Sequence, residues 1–522
     1  MDGSAIDAPT AGVFFRYFHL SLWVELPPTH AFFSYLTMAQ PKEDTPLTAF
    51  PAAGYTICGS CVRIRTRRTA VAVTLALLGL VVLVKEGANL SLPAVMPAIS
   101  DLNVDGDGDA IVASLPGLGT AFYAAGKLSQ IFATHGMGAG AVLVWITCVG
   151  GALSSSLVAI GHPVSMTVGW CGVSFCVAHV WGAGTAVAAG WFETRELGRV
   201  FAFIGVAGAL GGMLFSWLYG VIVDVPPEGH IWYLSFVMAA AALLVTGVLR
   251  LLLARDSAAK AGFAAPPPPP PPPAAAAAVA ASDEQTPPSN GVDGLSVPGA
   301  LGAMVCDVRV ALLMVVGCGY AVSSGVVNAY MPLYATERLG ASEKDAAHLL
   351  IFTMLGALVG GIGMGLARDG LSAAASVALT AAINLGSAAA AVAWLAYELN
   401  GGTWLGVRLL SFMVFVVSAS IECSWNINLS VFTVRFAGAR HASTLSGLMD
   451  LLCFAGKVPF MFVAGHLVND GRYGIMLSLV VAALLVSHAC IVVSMVLDLR
   501  MPPCPPPPAK GQYRAIGGKS ER

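Results

Sequence analysis

Ala70-Val-Ala-Val-Thr-Leu-Ala-Leu-Leu-Gly-Leu-Val-Val-Leu-Val-Lys85-Glu86-Gly-Ala-Asn89-Leu-Ser-Leu-Pro93-Ala-Val-Met-Pro97 decides the fold. The run is long enough for a helix to cross a hydrocarbon core of about 30 Å. It nevertheless holds Lys85, Glu86 and Asn89, and a charge at the centre of a span costs about 2.5–3.5 kcal/mol on insertion scales. A sequence that keeps such residues in such a run needs them for helix pairing or for a solute. The pattern returns later as Asn328-Ala-Tyr-Met-Pro332, again an Asn four residues before a Pro near the end of a long apolar run.

Outward from this stretch the chain alternates apolar runs and short polar breaks. Spans are expected at 70–97, 110–133, 138–160, 164–190, 199–223 and 231–253. After a gap they resume at 308–335, 346–366, 373–397, 403–433, 443–468 and 473–498. The gap carries Pro266 through Pro273, an alanine run and Ser282-Asp-Glu-Gln-Thr-Pro-Pro-Ser-Asn, a polyproline and polar composition that reads as a linker between halves. Two further echoes support duplication. Gly220-Val-Ile-Val-Asp224 matches Gly465-His-Leu-Val-Asn-Asp470, and the charged loop Glu193–Arg199 matches Arg435–His441. Repeated halves of this kind place a binding site near the midplane between them.

Composition agrees. Of 522 residues 57% are hydrophobic and 11% charged, with a formal net charge of −2; the mean hydropathy is +0.76. Too few charged groups are present to cover a soluble surface, which excludes a soluble enzyme, and no basic face exists for nucleic acid. The 11 cysteines are scattered through apolar runs as small core residues. Cys58-Gly-Ser-Cys61 has redox spacing without the surrounding thioredoxin-like pattern. Asp101-Leu-Asn-Val-Asp-Gly106 resembles the start of a calcium loop, but Val112 stands where the twelfth-position Glu belongs. No Gly-x-Ser-x-Gly, His-Glu-x-x-His or phosphate loop occurs. No catalytic residue, metal ligand or cofactor is therefore expected. For the aromatic-rich residues 1–68, which hold no clean span, a true start at Met38 is an alternative reading that leaves open whether residues 1–37 belong to the protein.

Loop cations set the orientation. Arg63, Arg65, Arg67, Arg68, Arg195, Arg199, Arg250, Arg255, Lys260, Arg368, Arg435, Arg440, Arg500, Lys510 and Arg514 fall on one side, against Arg338, Lys344 and Arg472 on the other, with Arg408 just inside the tenth span. Both termini and the linker are expected in the cytosol.

Lys85 and Asn89 are one turn apart and share a face of the first span, whereas Lys85 and Glu86 point about 100° apart and should not face one cavity wall. Lys127 lies in the second span, Glu422 in the tenth, and Asp450 and Lys457 two turns apart in the eleventh. His179 reads as a packing histidine.

Three stretches resemble the major facilitator superfamily, over about residues 69–500, and within it the organophosphate:phosphate antiporters and sugar-phosphate exchangers. They are Leu83–Pro93, Tyr123-Ala-Ala-Gly-Lys127, and Trp191–Arg199 followed by Gly211-Gly212. By that resemblance Lys85 stands where those antiporters place a phosphate-binding arginine, and Lys127 matches their second-helix lysine. Neutral Ser323 stands at their seventh-helix arginine and Gly208 at their fifth-helix histidine. A lysine lacks the bidentate fork that suits phosphate.

The expected architecture is an all-α membrane protein, twelve transmembrane helices in two pseudo-symmetric six-helix bundles, the major facilitator fold that the resemblance implies. The expected parts are an N-terminal extension 1–68, poorly ordered, bundles 69–254 and 307–499, a cytosolic linker 255–306 and a tail 500–522. The expected function is secondary active transport of a small polar organic solute, an organic anion first, by alternating access. Neutral amino acids or monocarboxylates are the alternative solutes, and a non-transporting nutrient receptor is the alternative of another class. Lys85, Asn89, Lys127, Ser323, Asn328, Tyr330 and Lys457 are the candidate solute-binding residues, with Glu422 and Asp450 for coupling or gating. The expected partners are the solute, the lipid bilayer and a proton or counter-anion, with no nucleic acid, for a monomer.

Overall fold

The computed structural model describes residues 55–57, 62–64, 66–100, 108–192, 196–224, 231–263, 307–401 and 405–500. The calcium-like segment Asp101–Gly106, Cys58 and Cys61, the proline run and the tail after Arg500 lie outside them. Two short strands, Tyr55–Ile57 and Val62–Ile64, pair antiparallel within the stretch expected to be poorly ordered. Everything else described is helical or a short connection.

The first half holds α1 (Arg67–Ser100), α2 (Gly108–Met137) and α3 (Ala139–Ala159), which is a π-helix over Val142–Gly150. It continues with α4 (Pro163–Trp191), α5 (Leu197–Val223) and α6 (Tyr233–Leu253). The second half holds α7 (Val308–Leu339), α8 (Glu343–Gly370), α9 (Ala373–Leu399), α10 (Val407–Asn469) and α11 (Tyr473–Arg500). Eleven segments of 18 or more residues are apolar enough to cross a membrane. With the 30-residue α2 they make twelve crossings in two six-helix bundles.

α10 contains two of those crossings, a first arm Val407–Trp425 and a second arm Gly447–Asn469. The charged loop expected at Arg435–His441 is instead helical backbone. Alanine and arginine are strong helix formers, and a single glycine without proline does not break the run. The chain still reverses inside α10. A side chain at Gly317 would touch both Cys453 and Trp425, and residues that far apart on one straight helix would be separated by about 42 Å.

Local chemistry sets the helix ends. Ser342 Oγ accepts from the Asp345 N–H at 3.1 Å at the start of α8, and Ser372 does the same for Ala375 at the start of α9. Gly138 (φ 85°) and Gly471 (φ 67°) make the tight reversals from α2 to α3 and from α10 to α11, a backbone region that suits glycine. Exposed Leu385, Ile160 and Leu153 project from the outer face of the bundles, as expected of a surface that meets lipid.

The linker end is where α6 finishes and α7 begins. At the opposite end one apolar cluster joins the halves, running from Leu92, Met96 and Leu115 into Val326, Met331, Leu349 and Met461. Tyr219 fixes α5 to α1 by donating to the Gly87 carbonyl at 2.9 Å. Two seams connect the bundles: α2 lies along the second arm of α10, and α5 lies along α8.

Candidate functional site

The α2 seam carries an ion pair between the two halves. Lys127 Nζ donates to Asp450 Oδ2 at 3.0 Å across the two halves, with the lysine side chain 3% exposed and the aspartate 15%. One turn along α2, Tyr123 stacks on Phe454 of the second arm, with centroids 4.4 Å apart. Lys127 lies 5.6 Å from the Tyr123 ring centre, and Lys457 lies 5.4 Å from that of Phe454. Both are cation–π distances. Two tilted rings in contact thus each lie against an ammonium group, one bound to a carboxylate and one with no carboxylate partner among the described residues.

Lys457 is the exception among the three lysines. Among the described residues it has no ion-pair partner. Its stem fills the space over Gly325 on α7, where any Cβ would collide with it. Asn328 is one turn further along α7, and its side-chain oxygen is buried without a hydrogen-bond partner. An ammonium and an unsatisfied acceptor are thus held on neighbouring helices, and each costs free energy until a third group engages it.

The other lysine is arranged differently from expectation. Lys85 Nζ is bonded to Glu86 Oε1, its sequence neighbour. The helical angle between adjacent positions should have separated them, but the four-carbon stem is long enough to curl back over the turn. Glu86 faces α5 at Gly208. Glu422, on the first arm of α10, lies within electrostatic reach of Glu86 and Lys85. Asn89 is half-buried one turn beyond Lys85.

Two expected site residues are not brought to this cluster. Tyr330 is fully buried, and its hydroxyl donates to the backbone carbonyls of Ala113 at 3.1 Å and Met461 at 3.3 Å, pinning the halves together. Ser323 is also fully buried and donates to Gly319 O at 2.9 Å, the usual way a serine is satisfied inside a helix. Their polar atoms are used up by backbone. His179 is likewise engaged, by Ser129 Oγ at 2.8 Å and Phe175 O at 2.9 Å, which is the packing role expected of it.

Tyr123 and Phe454 were not anticipated as site residues. Their signal is an aromatic one turn before an intramembrane lysine, at spacings of four and three. Nor was Lys344–Asp224, a 2.6 Å ion pair joining the halves at the opposite end. A small apolar pocket lined by Leu78, Leu143, Val180, Phe201 and Ile204 lies inside the first half and includes none of Lys85, Lys127 and Lys457.

A family model described as Major Facilitator Superfamily matches residues 75–461. No curated protein matches the chain. Solved structures share the fold at low identity. A bacterial homologue of the human lysosomal transporter Spinster, inward-facing and unoccupied, is 12% identical with a TM-score of 0.58, covering 83% of this chain and 99% of that chain. A D-xylose–proton symporter is 13% identical with a TM-score of 0.60, covering 83% and 98%. A POT family transporter in complex with a thioalcohol-conjugated peptide is 12% identical with a TM-score of 0.58, covering 82% and 96%.

Proposed function

The chain belongs to the Major Facilitator Superfamily, and we propose that it is a secondary active transporter of a small polar organic solute whose anionic group is taken by Lys457. The observation that carries this reading is a lysine ammonium inside a span with no carboxylate partner among the described residues, packed over Gly325 one turn from the unsatisfied oxygen of Asn328. The organophosphate branch gains no support from this geometry. Lys85, at the position that branch gives to a phosphate-binding arginine, is already bonded to Glu86, and a lysine offers a point charge rather than a fork.

Transport would proceed by rocking of the two bundles about the midplane. The structure is closed at the end opposite the linker, where Tyr330 meets Ala113 and Lys344 meets Asp224. Arg67, Arg68, Arg199, Arg250, Arg255 and Arg500 cluster toward the linker end, which favours that end in the cytosol. The closed end then faces outward. Asp450 is the coupling candidate: a proton on its carboxylate would release Lys127 and loosen the α2 seam. Glu422, within electrostatic reach of Lys85 and Glu86, is the second candidate for coupling or gating.

Uptake into proteoliposomes from purified protein tests the reading, with Lys457→Gln as the key variant. Uptake should fall at least tenfold in that variant while its unfolding temperature stays near wild type. Unchanged uptake would remove Lys457 from the solute path.

A further inference from the structure

We propose that Cys318 of α7 and Cys453 of the second arm of α10 are a modification site, joined by a peroxide into a reversible disulfide that fixes α7 to the turn of α10 between Asp450 and Lys457. By sequence both cysteines are small core residues in apolar runs, and both are free thiols. The fold sets them face to face. Their sulfurs lie within hydrogen-bonding reach of each other, and the packing around them is reciprocal. A side chain at Gly317, next to Cys318, would run into the Cys453 sulfur, and one at Gly456, one turn after Cys453, would meet the Cys318 sulfur at 2.9 Å. Each sulfur occupies a notch that a glycine leaves on the opposite helix. Backbones must approach closely for a disulfide, whose Cα atoms lie about 4.4–6.8 Å apart, and bare glycine at both positions permits that approach. Cys176 is different: its thiol meets the hydroxyl of Ser154, not a second sulfur.

Exposure sets the order of events. Cys453 is 0% exposed and Cys318 is half-buried, so a peroxide, small and uncharged, meets Cys318 first. The Cys318 sulfur attacks one peroxide oxygen and the O–O bond breaks. A sulfenic acid is left on Cys318, and the other oxygen leaves as water with the thiol proton. The Cys453 sulfur then attacks the Cys318 sulfur, the S–O bond breaks, and the second water leaves with the Cys453 proton. Two thiols give up two electrons, one peroxide takes them, and two waters form. The consequence follows from the place of the bond. On one side of Cys453 is Asp450, which holds Lys127. On the other is Lys457, whose stem covers Gly325 of α7. The disulfide ties α7 to this turn, where the α2 seam and Lys457 meet. Its formation does not depend on the transport reading.

The test treats the full chain in proteoliposomes with hydrogen peroxide. The protein is then unfolded in detergent with a maleimide, which blocks the remaining thiols, and its peptides are read by mass spectrometry. A linked pair of peptides carrying Cys318 and Cys453, split again by dithiothreitol, is expected. Cys318→Ser and Cys453→Ala should each abolish it, and Cys490→Ser, on α11, should not. Amide exchange around Gly317 and around Cys453 should slow after oxidation in the wild type and stay unchanged in Cys318→Ser. Recovery of both cysteines as maleimide adducts, or of Cys318 as a sulfinic acid without a linked partner, would overturn the disulfide. A linked pair with unchanged exchange would overturn the restraint on α7.

Discussion

The two seams that join the halves are built from different materials. Along α2 the contacts nearer the linker end are chemical, the buried Lys127–Asp450 pair and then the Tyr123–Phe454 ring contact, before Phe462 closes on Gly117. Along α5 they are steric. Gly212 receives Met354, Gly220 receives the His348 ring, and an ion pair between α5 and α8 stands at the last turn, Asp224 on Lys344. Gly212, buried Ser216 and Gly220 recur every four residues, the small-residue spacing that lets helix backbones approach in a bilayer. Such a seam can slide or part at little electrostatic cost. The α2 seam cannot part without exposing a charge pair to a new environment. Under the proposed transport cycle, the α2 seam would respond to solute and proton, and α5 and α8 would close the opposite end.

Removing one charge from the α2 seam should have the largest effect. Asp450→Ala leaves the Lys127 ammonium uncompensated at 3% exposure, and breaking a buried pair from one side costs about 3–5 kcal/mol. Thermal unfolding in detergent should show that loss, and Lys127→Ala combined with Asp450→Ala should recover most of it. If the double variant is as unstable as the single one, the pair is not what holds this seam.

Blocking the steric seam should come next. Gly220→Leu would drive its side chain into the His348 ring, and overpacking of this kind costs about 1–3 kcal/mol. The loss should fall on the closed end rather than on the bundles. Amide exchange should therefore quicken at the last turn of α5 and the first turn of α8, with α2 unchanged. Uniform acceleration across both seams would mean that they open as one.

The spans were legible because membrane helices announce themselves by length and apolar content. The Asn–Pro echo at Asn89 and Asn328 announced the duplication. The seams were not legible. Lys127 and Asp450 are 323 residues apart in sequence, and nothing local tells a lysine which carboxylate it will meet. Lys85 was misjudged because helical angles describe Cβ directions, while the ammonium sits at the end of a flexible stem. Tyr330 and Ser323 looked like site residues because polarity in a span suggests function, yet a hydroxyl can be spent on a backbone carbonyl without any trace in the sequence. Lys457 is a cation in a span by sequence alone, but that no described residue pairs with it emerges only from the fold.

The aromatic stack should matter less than the ion pair beside it. Phe454→Leu keeps an apolar filler and loses the ring geometry and the cation–π contact, worth about 0.5–1.5 kcal/mol for the ring pair. Stability should fall by that amount. Solute affinity, read from the ligand-induced rise in unfolding temperature, should fall too, since Lys457 loses the face that holds it. Intact affinity with reduced stability would confine the stack to packing.

The smallest effect belongs to Asp224 and Lys344, and it is the sharpest probe of the contrast. Both side chains are about half exposed, so the pair should contribute no more than about 1 kcal/mol. Each charge nevertheless sits at the wrong pole of its own helix. Asp224 caps the C-terminus of α5, where the last turn holds no basic residue, and Lys344 lies in the first turn of α8. Adverse placements of this kind cost about 0.3–1 kcal/mol each at low ionic strength. They are relieved only while the halves are closed, so the pair favours closure beyond its own strength. Asp224→Asn and Lys344→Gln should each speed exchange of the Gly220–Asp224 amides less than tenfold. The difference from wild type should fade at 1 M salt, where the Debye length shrinks to about 3 Å. The exchanged pair, Asp224→Lys with Lys344→Asp, should restore protection, because it keeps the contact and turns both charges toward their favourable poles. A single variant as damaging as Asp450→Ala, or one indifferent to salt, would show that the α5 seam carries buried charge after all, and the division of labour between the seams would fail.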